Sequence, residues 1–382
     1  MPYITTNLEP RIYQLTIDDI LSGCDESLFL PKKNTRDTRT WFIPRVKSSL
    51  IEKTDFAGMH AALTGFVNTY RHLIETEDKS KLYYSFKIPK RSGGLRKIDA
   101  PNDELKQALR ELKHILEGKF FASYHSSAFA YIRGRSTLDS VKRHQSNNSR
   151  WFLKLDFSKF FPSTNQNFLL SMLYQTYPIS EYISLNSLTR STFEKAISLC
   201  FLDGGLPQGT PTSPILTNMM MIPIDHAISK MCREHSPHLL YTRYADDMLI
   251  SSQYSFQWTD VVNSISGILK EFNAPFRLNG EKTRYGSSAG RNWNLGVMLN
   301  KDNQITVGHE KKKVFKAMLY QFMVDDARGF TWDVEVVQHL LGLAAYYRSV
   351  EGETIDAIFQ SYSRKFKKDV MATAKAVLHP VA

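Results

Sequence analysis

Asp246 and Asp247 stand side by side in YTRYADDMLIS, a segment whose polar centre is flanked by β-forming residues. In an extended strand, neighbouring side chains point to opposite faces. Two adjacent carboxylates can reach one ion only where the chain reverses sharply. The segment therefore predicts two short strands joined by a tight turn, with the acids at its tip. The flanks, Tyr244–Ala245 and Met248–Ile250, would bury the hairpin and hold the acids on a rigid support. An Asp-Asp pair taken alone also fits a solvated turn. A third acid changes that balance: Asp156 ends an apolar strand predicted at Trp151–Phe157 (WFLKLDF), ninety positions upstream. Three converging carboxylates repel one another, so such a cluster is tolerable mainly with divalent cations bound. Hard oxygen ligands with room for water and phosphate suit Mg²⁺. Two such ions, roughly 3.5–4 Å apart, would stabilise the attacking and leaving oxygens of an in-line displacement at phosphorus.

The rest of the chain supports a folded protein with a polyanionic partner. Of its 382 residues 42% are hydrophobic and 23% charged, which suits a globular protein of two or three domains or subdomains. The net charge of +11 fits either phosphate binding, through release of condensed counterions, or a merely basic, solvated surface. Cys24, Cys200 and Cys232 are widely spaced and form no CxxC pair, which points to a reducing compartment rather than to zinc or disulfides. No signal peptide and no apolar run of membrane-spanning length is visible, so a cytoplasmic location is expected. Amphipathic periodicity predicts a helix over Phe56–Thr76 and another from Asp103 to about Phe120. Between them, Gly93-Gly94 in KRSGGLRK suggests a β-hairpin. A mixed helical region is expected over Asn165–Leu202, a helix from about Ile215 to Met231, and a helical, basic C-terminal stretch from about Lys311.

With these motifs in view, the chain resembles the reverse transcriptases. Tyr244-Ala245-Asp246-Asp247 reproduces the family's Tyr-x-Asp-Asp box, within a TRYADDMLIS string typical of bacterial members. LKLDFSKFFPS resembles the first catalytic strand, GLPQGTPTSPILTN the motif lining nucleotide and template, and IPKRSGGLRKIDAP the fingers loop that grips the triphosphate. FRLNGEKT and NLGVML follow in the family's order, and the likeness spans about residues 80–315. It implies an α+β right-hand polymerase with fingers, palm (an antiparallel sheet backed by helices) and helical thumb. The implied domains are a partly helical N-terminal extension at 1–80, fingers at 81–155, palm with a fingers insertion at 156–290, and primer grip with a helical basic thumb at 291–382.

The same resemblance implies roles for particular residues. Asp156, Asp246 and Asp247 would be the catalytic metal ligands, with Mn²⁺ as a substitute for Mg²⁺. Phe161 would lie under the sugar and exclude a ribose 2′-hydroxyl, with a core aromatic as its alternative. Gln208 would face the nucleotide, while Gly209 lets the backbone pass close to the base pair. Arg96 and Lys90 would neutralise the leaving pyrophosphate, though taken alone they also fit exposed surface charges. Lys282 is either near that pyrophosphate as a proton donor or simply solvated. Tyr244, Leu295 and Gly296 belong to the segments expected at the primer end. Arg133, Arg135 and His144 lie in YIRGRSTLDSVKRH, where an aromatic residue beside arginines suits stacking and phosphate contact. His144 fits RNA contact or a satisfied structural role, and Arg243 fits either a phosphate or an acid. KKNTRDTR at Lys32–Arg39 and the basic C-terminal helices offer further RNA-binding surfaces.

The PTSP and TRYADD strings resemble retron and related defence-associated bacterial enzymes. Retrons carry Asn-Ala-x-x-His where this chain has Ser140-Val141-Lys142-Arg143-His144, and Val-Thr-Gly where it has Asn294-Leu295-Gly296. Those departures favour a related anti-phage defence class over a retron that makes msDNA. The expected partners are a dedicated noncoding RNA template, a DNA primer and product, dNTPs and an effector protein, without a membrane. Template-independent or protein-primed synthesis shares the same motifs. A catalytically silent RNA-binding scaffold would not need to keep three mutually repelling acids.

Overall fold

The computed structural model describes residues 53–89, 93–120, 124–288 and 296–378. In chain order its main elements are α1 (Phe56–Thr69), β1 (Tyr83–Pro89), β2 (Leu95–Pro101), α2 (Asp103–Gly118), α3 (Thr137–Ser146), β3 (Trp151–Ser158) and α4 (Gln166–Leu173). Then follow α5 (Ser187–Ser198), α6 (Ser213–Met220), α7 (Ile222–Glu234), β4 (Leu240–Tyr244), β5 (Asp247–Ser252), α8 (Trp258–Glu271), β6 (Arg277–Leu278) and β7 (Arg284–Ser287). The C-terminal part contains β8 (Met298–Leu299), β9 (Ile305–Thr306), α9 (His309–Ala327), α10 (Val334–Phe366) and α11 (Val370–Leu378). The architecture is α+β, as expected. A five-stranded sheet runs β4-β5-β3-β6 with β7 beside β3, and β1 and β2 form a separate antiparallel hairpin. The described residues divide into two compact units: those within 1–135, 153–250 and 256–284, and those within 136–152, 251–255 and 285–382.

In the first unit, α2 shows why its sequence is helical. Asn102 accepts the Leu105 N–H at 2.8 Å as N-cap, and Asp103 and Glu104 complement the helix dipole. Leu105, Leu109, Leu112 and Leu116 form its buried stripe, packed against α1 through Met59, Leu63 and Phe66. The predicted helix over Phe56–Thr76 is interrupted at Tyr70 (φ −105°, ψ 23°), whose hydroxyl donates to Glu111 at 2.8 Å. It resumes for one turn at Arg71–Ile74. The predicted helix over Ile215–Met231 is likewise two helices, broken at Met221 because Pro223 opens α7 and cannot donate to the preceding turn.

Around the end of β3, Phe157, Phe160, Phe168 and Phe276 form an aromatic cluster with ring centroids 4.8–5.7 Å apart. Each ring removed from water contributes roughly 1.5–3 kcal/mol. This cluster anchors the strand that carries Asp156 and the turn that carries Phe161. Cys200 and Cys232 are buried free thiols, both pushed up to about 12 by burial. They are inert core residues.

In the second unit, α3 opens with a capping box between Ser136 and Asp139. His144 lies on its buried face. Glu351 breaks the helical geometry inside α10 (φ −134°, ψ 61°), accepts the Val307 N–H at 2.8 Å and pairs with Lys312 at 2.7 Å. Among the described residues no helix is long and apolar enough to cross a membrane.

Candidate active site

β4 and β5 form the hairpin read from YTRYADDMLIS, with Ala245 and Asp246 as its turn. Ala245 takes a left-handed backbone (φ 59°), a strained choice for a residue with a Cβ. The strain allows the chain to reverse between two adjacent acids. The Phe157 N–H donates to the Asp246 carbonyl at 3.1 Å, which ties the end of β3 to this turn and sets Asp156 beside it.

The three carboxylates feel one another. Burial raises the Asp156 and Asp246 pKa values, and mutual repulsion adds to both: Asp247 acts on Asp156, while Asp156 and Asp247 act on Asp246. Two lysines answer that charge. Lys282 Nζ lies 3.0 Å from each Asp156 oxygen, and Lys154 Nζ lies 2.9 Å from Asp247 Oδ1. Lys282 is delivered by backbone geometry. Leu278 pairs with Phe157, the Asn279 N–H donates to the Asp156 carbonyl at 2.8 Å, and a 3₁₀ turn over Gly280–Lys282 follows. Lys282 thus contacts an acid directly, which neither sequence alternative had assigned to it. Among the described residues no three His, Cys, Asp or Glu side chains are grouped closely enough to hold a metal ion as they stand. The donor chemistry fits a hard divalent cation, because the acids are oxygen ligands carrying excess charge. Ammonium groups currently supply that countercharge.

Of the residues expected to face the nucleotide, two are joined to the β1–β2 hairpin. The Asp99 N–H donates to the Gln208 carbonyl at 2.8 Å, fastening the Gln208-Gly209 turn to the β1–β2 hairpin. Gly209 has φ 122°, and a Cβ there would sit 2.9 Å from Ile98 Cγ2 and 3.1 Å from the Asp99 oxygen. Only glycine fits. Arg96 is exposed on β2, opposite Ile88, and its charge reaches the phenol of Tyr131. Phe161 is 8% exposed and packs edge-on against Phe160 at 5.5 Å, so most of its ring lies in the core. Lys90 and Leu295 lie outside the described residues, as do Cys24, Lys32–Arg39 and the rest of residues 1–52.

Tyr244 is half-buried at the end of β4, and Arg133 is exposed. Arg135 donates to the carbonyls of His125 at 3.0 Å and Ala128 at 2.7 Å, bracing its own loop. Two residues belong to the second unit. Gly296 has φ 94°, and its carbonyl accepts Lys311 Nζ at 2.6 Å. His144 corrects one expectation. It is fully buried, its Nδ1 lies 2.6 Å from Ser251 Oγ, and burial pulls its pKa down to about 3. An imidazole without surface has no route to RNA, so its structural alternative holds.

Arg243 is also resolved. It is fully buried and pairs with Asp225, not with solvent. Sequence reasoning missed Lys154, Asp225 and Tyr131 as individual residues. For Lys154 a signal existed: strand alternation puts it on the same face as Asp156. In the sequence Tyr131 stands out only as part of a basic segment. It has φ 61°, is 55% exposed, and its pKa is raised by burial and by the charge of Asp246.

Comparison with known proteins matches residues 88–315 to the family described as reverse transcriptase (RNA-dependent DNA polymerase). Retron Mx65 reverse transcriptase of Myxococcus xanthus is 30% identical over 78% of this chain and 69% of its own length. Retron Ec83 reverse transcriptase of Escherichia coli is 27% identical over 75% of this chain and 89% of its own. Among solved structures, apo telomerase from Candida tropicalis aligns with a TM-score of 0.43 and 14% identity, over 80% of this chain and 63% of the telomerase chain. By its sequence match over residues 88–315, this chain belongs to the reverse transcriptase family and has its right-hand polymerase fold.

Proposed function

We propose that this enzyme copies a dedicated, structured noncoding RNA into DNA, using Asp156, Asp246 and Asp247 as the ligands of two Mg²⁺ ions. RNA-directed DNA polymerase activity, and with it an RNA template, follows from family membership. The single observation that carries the site assignment is geometric: the Phe157 N–H donates to the Asp246 carbonyl at 3.1 Å, which sets the buried Asp156 at the end of β3 beside the half-buried Asp246 and Asp247 of the β4–β5 turn. When bound there, divalent cations would stabilise the charge on the attacking and leaving oxygens at phosphorus.

The protein's own groups do the rest. Lys282, already seated on Asp156, is placed to neutralise or protonate the departing pyrophosphate, and Arg96 and Lys90 add positive charge on the triphosphate side. Gln208 and Gly209 present a backbone surface close enough for a base pair, and the exposed edge of Phe161 is set to exclude a ribose 2′-hydroxyl. Tyr244, Leu295, Gly296, Arg133 and Arg135 serve the primer and RNA in this reading. Fingers, palm and thumb are assigned to residues 81–155, 156–290 and 291–382, after the extension at 1–80. The likeness to retron reverse transcriptases supports a bacterial, RNA-templated enzyme, and a noncoding RNA template and a role in anti-phage defence with an effector protein extend that reading.

The test is primer extension on an RNA template with dNTPs and Mg²⁺, comparing the native protein with the Asp246→Ala/Asp247→Ala double variant. We expect no incorporation by a variant whose circular dichroism matches the native protein. Synthesis by that folded variant would remove the assignment. Sequencing the RNA that co-purifies from the native host tests the template proposal, and a sample without an enriched species overturns it.

A further inference from the structure

We propose that Arg243 is a positioning residue of the polymerase reaction: a buried guanidinium that locks the catalytic turn to the loop carrying Tyr131. Its side chain is completely buried, as is that of Asp225. Arg243 Nη2 donates to Asp225 Oδ2 at 2.7 Å and Nε to Oδ1 at 2.9 Å, a two-point pairing of planar groups. Tyr241 donates to the same carboxylate at 2.7 Å. Asp225 is thereby saturated, and the guanidinium is fixed in orientation.

The remaining amino group reaches the active site. Arg243 Nη1 donates to the Ala245 carbonyl at 3.0 Å and to Asn218 Oδ1 at 3.2 Å. Ala245 is the strained residue that lets Asp246 and Asp247 share the tip of the hairpin. Asn218 Nδ2 then donates to the Ala130 carbonyl at 2.7 Å, immediately before the second strained residue, Tyr131. The backbone closes the circuit: the Phe129 N–H donates to the Arg243 carbonyl at 2.9 Å, and the Arg243 N–H to the Ser127 carbonyl at 2.6 Å. Two left-handed, non-glycine residues are thus tied to one guanidinium, Ala245 directly and Tyr131 through Asn218 and the carbonyl of its neighbour Ala130. Strained conformations persist only where the surroundings over-determine them, and this network does so. A bare structural ion pair would have no need to spend its third donor on the carbonyl of the catalytic turn.

The inference rests on Asp246 and Asp247 being the catalytic acids, and the two ideas fail separately. The acid assignment fails if the double alanine variant synthesises DNA. The brace is tested with Arg243→Lys, which keeps charge but cannot fork, and Asp225→Asn, which keeps shape but loses the charge that orients the guanidinium. Both are compared with Leu109→Ala, a core variant in α2 remote from the turn. Steady-state kinetics with varied dNTP on a primed RNA template should show kcat down about 100-fold in the Arg243 and Asp225 variants, the loss expected from misplacing catalytic groups by about 1 Å. Their dNTP KM should change by less than about threefold, while Leu109→Ala, though less stable, keeps native kcat. Native kcat in either folded brace variant overturns the proposal, as does a kcat loss in Leu109→Ala of equal size. Failure of both brace variants to fold also counts against it, because the network would then serve the fold and not the turn.

Discussion

Lys282 grips Asp156 with one ammonium 3.0 Å from both carboxylate oxygens, so a cation already occupies the face of the acid that a metal would use. Its side chain is 56% exposed, which screens the pair and limits its contribution to stability to about 0–1 kcal/mol. We therefore expect Lys282→Met to cost little stability while lowering kcat by about 100-fold, the lower end of general-acid contributions. Titrating Mg²⁺ against thermal stability separates its roles. With the competing ammonium gone, the variant should gain more in Tm from Mg²⁺ than the native protein does. Equal gains would mean that Lys282 and the metal do not share Asp156.

The acids themselves should be a burden to the metal-free fold. Asp156 and Asp246 have pKa values raised above 3.8, so the folded state binds protons more readily than the unfolded chain. Their stabilising contribution is complete below 3.8 and is lost as pH rises through the folded values. At neutral pH the double variant Asp156→Asn/Asp246→Asn should melt about 1–4 °C above the native protein when both lack divalent metal. Adding Mg²⁺ to 100 times its Kd should stabilise the native protein by about 2.7 kcal/mol and leave the variant unmoved. Differential scanning calorimetry with and without chelator reads both.

Much of this site was legible in the sequence because its elements are local. Adjacent acids between β-formers required a hairpin, Gly93-Gly94 marked the β1–β2 turn (φ 86° and 79°), and the leucine spacing of α2 gave its buried face. Partners chosen by tertiary packing were not legible. Asp225 lies 18 residues before Arg243 on another element, and nothing in its helix distinguishes it from a surface acid. Tyr70 likewise breaks the first helix, against its periodicity, at the residue whose hydroxyl is held by α2. The break at Pro223 was visible in principle, since proline cannot donate within a continuing helix. His144 shows the limit of motif transfer: a residue at a signature position can be there for the core.

His144 gives the second unit a titration of its own. Its pKa is pulled down to about 3 by burial, against an unfolded value of 6.5. A depressed histidine keeps its stability above 6.5 and loses it as pH falls towards 3, because the unfolded chain takes up the proton first. The full difference corresponds to roughly 3–5 kcal/mol. His144→Gln, which can still bond Ser251 but does not titrate, should flatten the fall in stability measured by urea unfolding between pH 6.5 and 4. Its affinity for RNA should be native. A weaker RNA affinity with an unchanged pH profile would reverse the assignment.

Phe161 tests the sugar gate. Only 8% of it is exposed, so shortening it to Ala would open a cavity and cost about 3–5 kcal/mol. Phe161→Leu preserves most of the packing against Phe160 and trims only the ring edge. We expect it to lower the preference for dNTPs over rNTPs by about 10–200-fold, the range available to a packed apolar pocket. The readout is the ratio of kcat/KM values for the two nucleotides. An unchanged ratio in a stable variant would make Phe161 a core residue only.

Tyr131 combines two features that rarely coincide: a left-handed backbone and a large aromatic ring left 55% exposed. Its phenol feels Asp246, Tyr244 and Arg96, which places it among groups that would meet the primer end and the nucleotide. Replacing it with glycine separates the two features. Tyr131→Gly accepts φ 61° without strain, so the fold should be no less stable. Losing the ring removes one base-stacking surface, worth about 1–3 kcal/mol. The KM for template–primer should therefore rise about 5- to 150-fold while the melting temperature holds or increases. If Tyr131→Gly instead leaves that KM unchanged, the ring packs for the loop's sake and the strain at this position has another cause.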